Sequence, residues 1–151
     1  GNIVEVVRAI LDETGLEPAA VELEITESVI MNIEDALSIL NKLHQIGVQL
    51  AVDDFGTGYS SLAYLKLLPI NTLKIDRSFV IGIGDNAGDE AIIRTVIALA
   101  HSLKLATVAE GVESAHQVDF LRTHGCDEIQ GYFFGKPQPA DAFAESWRQR
   151  G

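Results

Sequence analysis

The sequence predicts an α/β protein in which five parallel strands alternate with helices as part of a (β/α)8 TIM-type barrel. Three observations carry this. Segments of helical period alternate with short apolar runs along all 151 residues, which implies βα units and a parallel sheet. Apolar residues make up 47% and charged residues 22%, enough core for one domain spanning 1–151. The strands themselves alternate in polarity. Val21, Leu23 and Ile25 interleave with Glu22 and Glu24, and Val48, Leu50 and Val52 with Gln49, Ala51 and Asp53. Leu73 and Ile75 interleave with Thr72, Lys74 and Asp76, and Ile129 stands between Glu128 and Gln130. Strands covered by helices on both faces read as continuous apolar runs. A polar parity therefore points into a shared interior, as in a barrel whose C-terminal strand ends build the active site. A doubly wound open sheet is the alternative.

The elements follow in order. A first helix covers about Ile3 to Thr14 and stops at Gly15; a strand follows at Ala20 to Thr26. Asn32 reads as the N-cap of the next helix, with Ala36, Ile39, Leu40 and Leu43 at i, i+3, i+4, i+7 spacing and Gly47 as its stop. Val48 to Asp53 is the second strand, a short helix lies between Ser60 and Leu68, and Thr72 to Asp76 is the third strand. The segment Gly82 to Gly88 reads as a plain flexible connection, because its glycines lack the Gly-x-Gly-x-x-Gly spacing. It leads into a helix edged by Ile92, Val96, Leu99 and Leu103. Leu105 to Glu110 is the fourth strand. Ser114 with Gln117 makes a capping box for a helix that Gly125 ends. A fifth strand at Asp127 to Gln130 precedes a last helix from Pro139 to Arg150.

Charge restricts the partners. Eleven Lys+Arg against 22 Asp+Glu leave a net charge of −11, which argues against nucleic-acid polymers and against an electrostatic grip on anionic membranes. A single cysteine, Cys126, permits no intrachain disulfide and no zinc-ligand spacing; it reads as a semi-buried reduced thiol of a cytoplasmic protein. No run approaches a membrane span, and Gly1 to Glu5 lack the features of a signal peptide. The leading Gly1 gives the expectation that the natural chain began elsewhere.

Chemistry collects at the C-terminal strand ends. The first strand delivers Glu24 and Glu27, the second Asp53 and Asp54, and the third Lys74 and Asp76. The fourth delivers Glu110 and Glu113, and the fifth Gln130. Carboxylates converging on one mouth repel one another and raise their own pKa values. Divalent cations remove that cost, and an oxygen-only donor set favours Mg²⁺, Mn²⁺ or Ca²⁺ over zinc. Metals held by shared carboxylates beside a lysine suit hydrolysis of a phosphate ester. Any single acid after a strand also has a plainer reading as a helix cap or solvated loop residue, and Asp76 and Glu113 are the members most open to it. In the loop Asp53 to Ser61, Gly56 and Gly58 allow either a phosphate cradle or a mobile gate. His44, His101, His116 and His124 form no ligand pair and read as surface or helix-end residues, whereas Trp147, Phe143 and Leu121 read as wall packing.

These residues resemble the EAL domain, a bacterial cyclic-di-GMP phosphodiesterase family. The resemblance rests on Glu24-Ile25-Thr26-Glu27-Ser28, Asp53 through Ser61, and Leu73-Lys74-Ile75-Asp76-Arg77-Ser78-Phe79. Ala109-Glu110-Gly111-Val112-Glu113 and Gln130 through Pro137 complete it, in order, across about Leu16 to Phe143. It implies a (β/α)8-type barrel that hydrolyses cyclic-di-GMP to linear pGpG with Mg²⁺ or Mn²⁺. By motif, Glu24, Asp53, Asp54 and Glu110 resemble its metal ligands. Lys74 would contact the water or scissile phosphate, Glu27 would anchor the 53–61 loop, and Glu113 would support the site. Gln130 would position water or substrate, and Asp76 would contact substrate. Family relatives often dimerise through this loop.

The Glu-Ala-Leu motif and an Asn-bearing strand, both sources of ligands in the family, do not occur in this sequence. The expectation is therefore a single partial domain, the C-terminal five βα units, inactive alone and covering its open sheet edges by self-association or with a longer chain. The parent protein would be cytoplasmic or tethered to a membrane through other domains. Two other functions compete with the enzyme. One is a degenerate EAL domain that senses cyclic-di-GMP or binds a protein without turnover. The other is a barrel aldolase using Lys74 as a Schiff-base amine, which the neighbouring carboxylates disfavour because they hold the lysine charged.

Overall fold

A computed structural model describes residues 2–30, 32–58, 62–135 and 138–150, apart from the side chains of 146, 147 and 150. The expectations for Gly1, for Tyr59 to Ser61, for the Lys136-Pro137 end of the last motif and for the Trp147 side chain lie outside the described residues.

Five parallel strands form one sheet in the order β1-β2-β3-β4-β5. They are β1 (Glu22–Thr26), β2 (Gln49–Phe55), β3 (Thr72–Ile75), β4 (Ala106–Ala109) and β5 (Glu128–Ile129). Sequential order with helical crossovers is the arrangement of consecutive units in a β/α barrel, not of a doubly wound sheet, whose order reverses at a switch point.

The helices are α1 (Ile3–Thr14), α2 (Glu27–Ile30), α3 (Ile33–Ile46), α4 (Leu62–Leu65) and α5 (Arg77–Ile81). They continue with α6 (Ala87–Ser102), α7 (Ala115–Thr123) and α8 (Ala140–Arg150). Their ends follow local chemistry. Asn2 caps α1 by accepting from the Val4 amide at 3.1 Å, and Gly15 closes it in the left-handed conformation at φ 69°. The Ser114–Gln117 capping box of α7 forms in both directions. Asn32 precedes α3 without a side-chain cap bond, a difference from the sequence expectation.

Two short helices and a 3-10 turn were not legible in the periodicity. Pro18–Ala20 forms the turn ahead of β1, while α2 and α5 each follow a strand directly. The 82–88 segment is also more ordered than a flexible connection. The amides of Asp85 and Asn86 both donate to the Gly82 carbonyl, the Gly84 amide donates to Glu90, and Ile83 is buried.

The outward strand parity builds the core. Leu50, Val52, Leu73, Ile75 and Ala109 are fully buried, as are Ile93 on α6 and Leu121 on α7. Burying each large apolar side chain contributes about 2 kcal/mol before entropy is charged against it. Helix α3 buries Leu40 and Leu43, but Ile39 stays 43% exposed. Phe143 is likewise exposed rather than packed into the wall, which corrects its sequence reading.

The inward parity runs in register across the sheet. Glu24 stands opposite Ala51 and Thr26 opposite Asp53. Ala51 stands opposite Thr72, Lys74 opposite Val108, and Val108 opposite Glu128.

Candidate active site

The site is assembled at the C-terminal ends of β1 to β4. Lys74 sits near the end of β3 with its side chain 8% exposed, and its ammonium bridges two carboxylates. One is Glu24 on β1, in direct contact with Nζ; the other is Glu110 after β4, whose Oε1 lies 2.9 Å from Nζ. Strand β2 runs between β1 and β3 and presents Ala51 opposite Glu24. A methyl group at that point leaves room for Glu24 and Lys74 to meet across the strand.

Electrostatics follow from this geometry. Burial pulls the Lys74 ammonium down, but hydrogen bonds and Coulomb attraction from Glu24 and Glu110 outweigh it, so its pKa stands above the ordinary lysine value. The lysine is therefore held charged, contrary to the need of a Schiff-base amine. Glu110 moves the other way for a carboxylate. Burial pushes its pKa up, Lys74 pulls it down, and the adjoining Asp53 carboxyl pushes it up again, for a net rise. Its Oε1 is fully buried and receives no aligned hydrogen bond despite its closeness to Lys74.

A local irregularity places the two aspartates. Three steps along β2, from Val52 to Phe55, are matched by two steps along β3, from Leu73 to Ile75. The extra residue falls at Asp54, which takes φ 49°, a left-handed conformation that Asp tolerates better than most residues. Asp53 Oδ1 accepts from the Asp54 amide at 2.9 Å, and Asp54 Oδ1 accepts from the Glu27 amide at 3.2 Å.

Glu27 itself is 4% exposed, and its Oε2 accepts from the amides of Gly56 at 3.2 Å and Gly58 at 2.9 Å. Those two amides are thus committed to a protein carboxylate, which leaves no phosphate cradle at Gly56 and Gly58. The donors of a helix-like nest cannot serve two anions at once.

The remaining expected residues lie around an adjoining cavity. Asp76 Oδ2 accepts from the Ser78 amide at 2.9 Å and so caps α5, its plainer reading. Glu113 pairs with Arg77 at 3.5 Å, at the surface. Gln130 follows β5; its amide donates to Ala109 and its carbonyl accepts from Val112 at 3.1 Å. Next to it, a Cβ on Gly131 would lie 2.3 Å from the backbone N and O of Val112, so only glycine lets the two backbone segments approach here. A cavity of about 480 Å³ opens beside Glu110, lined by Arg77, Glu113, Gln130, Tyr132 and Phe143 among others. Arg77, Tyr132 and Phe143 were not singled out from the sequence as site residues. Arg77 lay inside a quoted motif, and a usable signal was the glycine after Glu110, against which its side chain rests.

The donor set can be tested for a divalent cation. Hard carboxylate oxygens and an upward-shifted Glu110 beside Asp53 fit a divalent cation at that pair. Among the described residues, however, no three or more acidic, histidine or cysteine side chains converge as a metal cluster. Asp54 is turned to the Glu27 amide, and Glu24 is engaged by Lys74. The described chain thus offers a carboxylate pair suited to a cation, with further donors nearby but turned aside.

Known proteins resemble this arrangement closely. Cyclic di-GMP phosphodiesterase NbdA of Pseudomonas aeruginosa is 46% identical over 148 residues, covering 97% of this chain but 19% of NbdA. The phosphodiesterase MucR of the same organism, solved in complex with cyclic-di-GMP, superposes with a TM-score of 0.91 at 46% identity. That match covers 95% of this chain and 58% of the solved one. BlrP1 of Klebsiella pneumoniae, solved with manganese and cyclic-di-GMP, gives a TM-score of 0.81 at 32% identity over 89% of this chain and 34% of its own. The family profile described as EAL domain matches residues 1–137. A parallel β/α sheet with its carboxylates and lysine at the strand ends, matched over nearly its whole length, places this chain in the EAL domain family.

Proposed function

We propose that residues 1–151 form part of one EAL domain whose reaction is metal-dependent hydrolysis of one phosphodiester of cyclic-di-GMP, giving linear pGpG. The observation that carries the reading is the ammonium of Lys74 held between Glu24 and Glu110 beside Asp53. That group offers a fixed positive charge next to a carboxylate pair whose hard oxygens suit a divalent cation. The name of NbdA and the cyclic-di-GMP complexes of MucR and BlrP1 supply the substrate, and the manganese of BlrP1 supports Mg²⁺ or Mn²⁺ as the cofactor.

Glu24, Asp53, Asp54 and Glu110 are the residues that would hold the cations. Bound divalent metal supplies an activated water and charge neutralisation at the phosphate. Lys74 would orient a water or a phosphate oxygen through its ammonium, which its neighbours keep protonated. Glu27 anchors the 53–58 backbone and with it Asp53 and Asp54. Glu113 and Gln130 face the adjoining cavity and position substrate. Asp76 contributes to substrate binding only with the part of its carboxyl not spent on capping α5.

The second reading is a domain that binds cyclic-di-GMP or a protein without turnover. It is favoured by the lack of a three-ligand cluster among the described residues. We further propose a homodimer through the loop region at 53–61. No described helix is long and apolar enough to cross a membrane, and the single free thiol suits a cytoplasmic setting.

The test is conversion of cyclic-di-GMP to pGpG with Mg²⁺ or Mn²⁺, by this chain and by the chain extended upstream with a segment carrying Glu-Ala-Leu. Turnover in the extended form supports the enzyme. Nucleotide binding without turnover in both forms overturns it in favour of the sensor.

A further inference from the structure

We propose that Arg77 binds a substrate phosphate in the cavity beside the catalytic carboxylates, and that Gly111 is a glycine because the Arg77 side chain lies on it. The inference deepens the phosphodiesterase reading and rests on it for the identity of the nucleotide.

The cavity of about 480 Å³ borders Glu110 and carries the flat faces of Tyr132 and Phe143, an apolar lining suited to a nucleobase. Its charges are unsuited to the rest of a nucleotide. Glu110 and Glu113 both repel a phosphate, and among the described residues lining it Arg77 is the one cation. Lys74 does not line this cavity; its ammonium sits between Glu24 and Glu110.

Arg77 is held in place but not used up. A Cβ on Gly111, at φ 72°, would fall 2.4 Å from Arg77 Cγ and 2.8 Å from Cδ, so the arginine stem rests directly on the Gly111 backbone. The guanidinium then reaches Glu113 with one contact of 3.5 Å, and the two side chains are 62% and 51% exposed. An exposed, single-contact pair of that kind holds the guanidinium only weakly. A phosphate offering short, charge-assisted, bidentate bonds displaces it readily. With the reacting phosphate at Glu24, Lys74 and Glu110, this position receives the second phosphate of a cyclic dinucleotide.

The experiment uses the full chain without metal and measures binding of GMP, guanosine and inorganic phosphate by calorimetry. Arg77→Ala should weaken GMP by about tenfold or more, the loss of a charge-assisted hydrogen bond, while leaving guanosine unchanged. Arg77→Lys should fall between, because it keeps the charge and loses the fork. Gly111→Ala should weaken GMP in the same way with Arg77 still present. Arg94→Ala, whose guanidinium pairs with Glu90 on α6, should change nothing. Equal loss of guanosine and GMP on Arg77→Ala, unchanged GMP binding, or no GMP binding by the parent chain would each overturn the proposal. Because no turnover is measured, a failure here leaves the phosphodiesterase reading intact, and a failure of turnover leaves this result intact.

Discussion

Lys74 Nζ lies 2.9 Å from Oε1 of Glu110, and the lysine is the more deeply buried partner, with its side chain 8% exposed against 23%. A cation buried more than its anion is unusual, because an ammonium leaves water only where carboxylates replace its hydration. Glu24 completes that replacement. The three side chains come from β1, β3 and the end of β4, so the site and the strand order depend on each other.

Replacing Lys74 with Met leaves Glu24 and Glu110 without the cation between them, and Asp53 still beside Glu110. The expected loss is about 1–3 kcal/mol at neutral pH, below the figure for a fully buried pair because Glu24 is half exposed. Since the Lys74 pKa is raised in the folded state, its contribution is fully present below the ordinary value of 10.5 and is lost as pH rises through the higher folded value. On the acid side the penalty of Lys74→Met should shrink as the carboxyls take up protons. Urea unfolding midpoints of both proteins across pH read the difference; a penalty that is constant from acid to neutral pH contradicts the account.

Glu110 makes the opposite demand. Its folded pKa is raised above the ordinary 4.5, so the native state keeps a proton that the unfolded chain releases. The stability from this group is complete below 4.5 and falls as pH rises from there through the raised folded value. Mg²⁺ or Mn²⁺ bound at Asp53 and Glu110 should displace that proton, lower the apparent pKa and flatten the slope. Carboxyl-carbon NMR of Glu110 with and without metal measures this directly. Titration at or below 4.5 without metal, or no response to millimolar Mn²⁺, would refute it.

Glu27 is expected to govern the loop more than the core. Glu27→Ala leaves the Gly56 and Gly58 amides without their acceptor, at a cost of about 1–3 kcal/mol, and frees the segment that carries Asp53 and Asp54. Hydrogen exchange should show lost protection confined to residues 54–58, with β3 and β4 unaffected. Glu27→Gln keeps an acceptor oxygen and should retain part of the protection. Uniform loss across the sheet would mean that Glu27 supports the core instead.

Much of this was readable from residue order. The strands could be found because Leu50, Leu73 and Ile75 alternate with Gln49, Ala51, Thr72 and Lys74, and period two survives burial. The ends of α1 and α7 were legible because Gly15 and the Ser114–Gln117 box act within a few residues. Helices α2 and α5 were not. Each is five residues or fewer, too short to show a period, and rests on tertiary bonds such as Gln117 Nε2 to the Val80 carbonyl. The carboxylate set was visible, but not its internal pairing. No spacing rule says that Glu27 takes the loop amides, that Lys74 fills the gap between Glu24 and Glu110, or that one extra residue at Asp54 turns its carboxylate to the Glu27 amide. Those contacts join residues 27 to 50 positions apart or depend on a sheet irregularity, and only the folded arrangement decides them.

The far end of the sheet separates stability from function. Thr107, fully buried in β4, sends both its amide (2.8 Å) and its hydroxyl (3.1 Å) to Asp127 Oδ2, just before β5. The Asp127 amide returns a bond to the Thr107 hydroxyl at 3.2 Å, and His101 Nε2 lies 3.5 Å from the same carboxylate. This pair ties β5 to β4 at the end opposite Glu110 and Gln130. Asp127→Ala strands two buried donors, so it should cost about 1–3 kcal/mol, with Asp127→Asn intermediate because an amide oxygen still accepts. Below the unfolding midpoint, Mn²⁺ and GMP binding should match the parent chain, since nothing at the carboxylate end has moved. Weakened ligand binding at full foldedness would show instead that β5 transmits its position to Gln130, and the two ends of the barrel wall would then have to be treated as one unit.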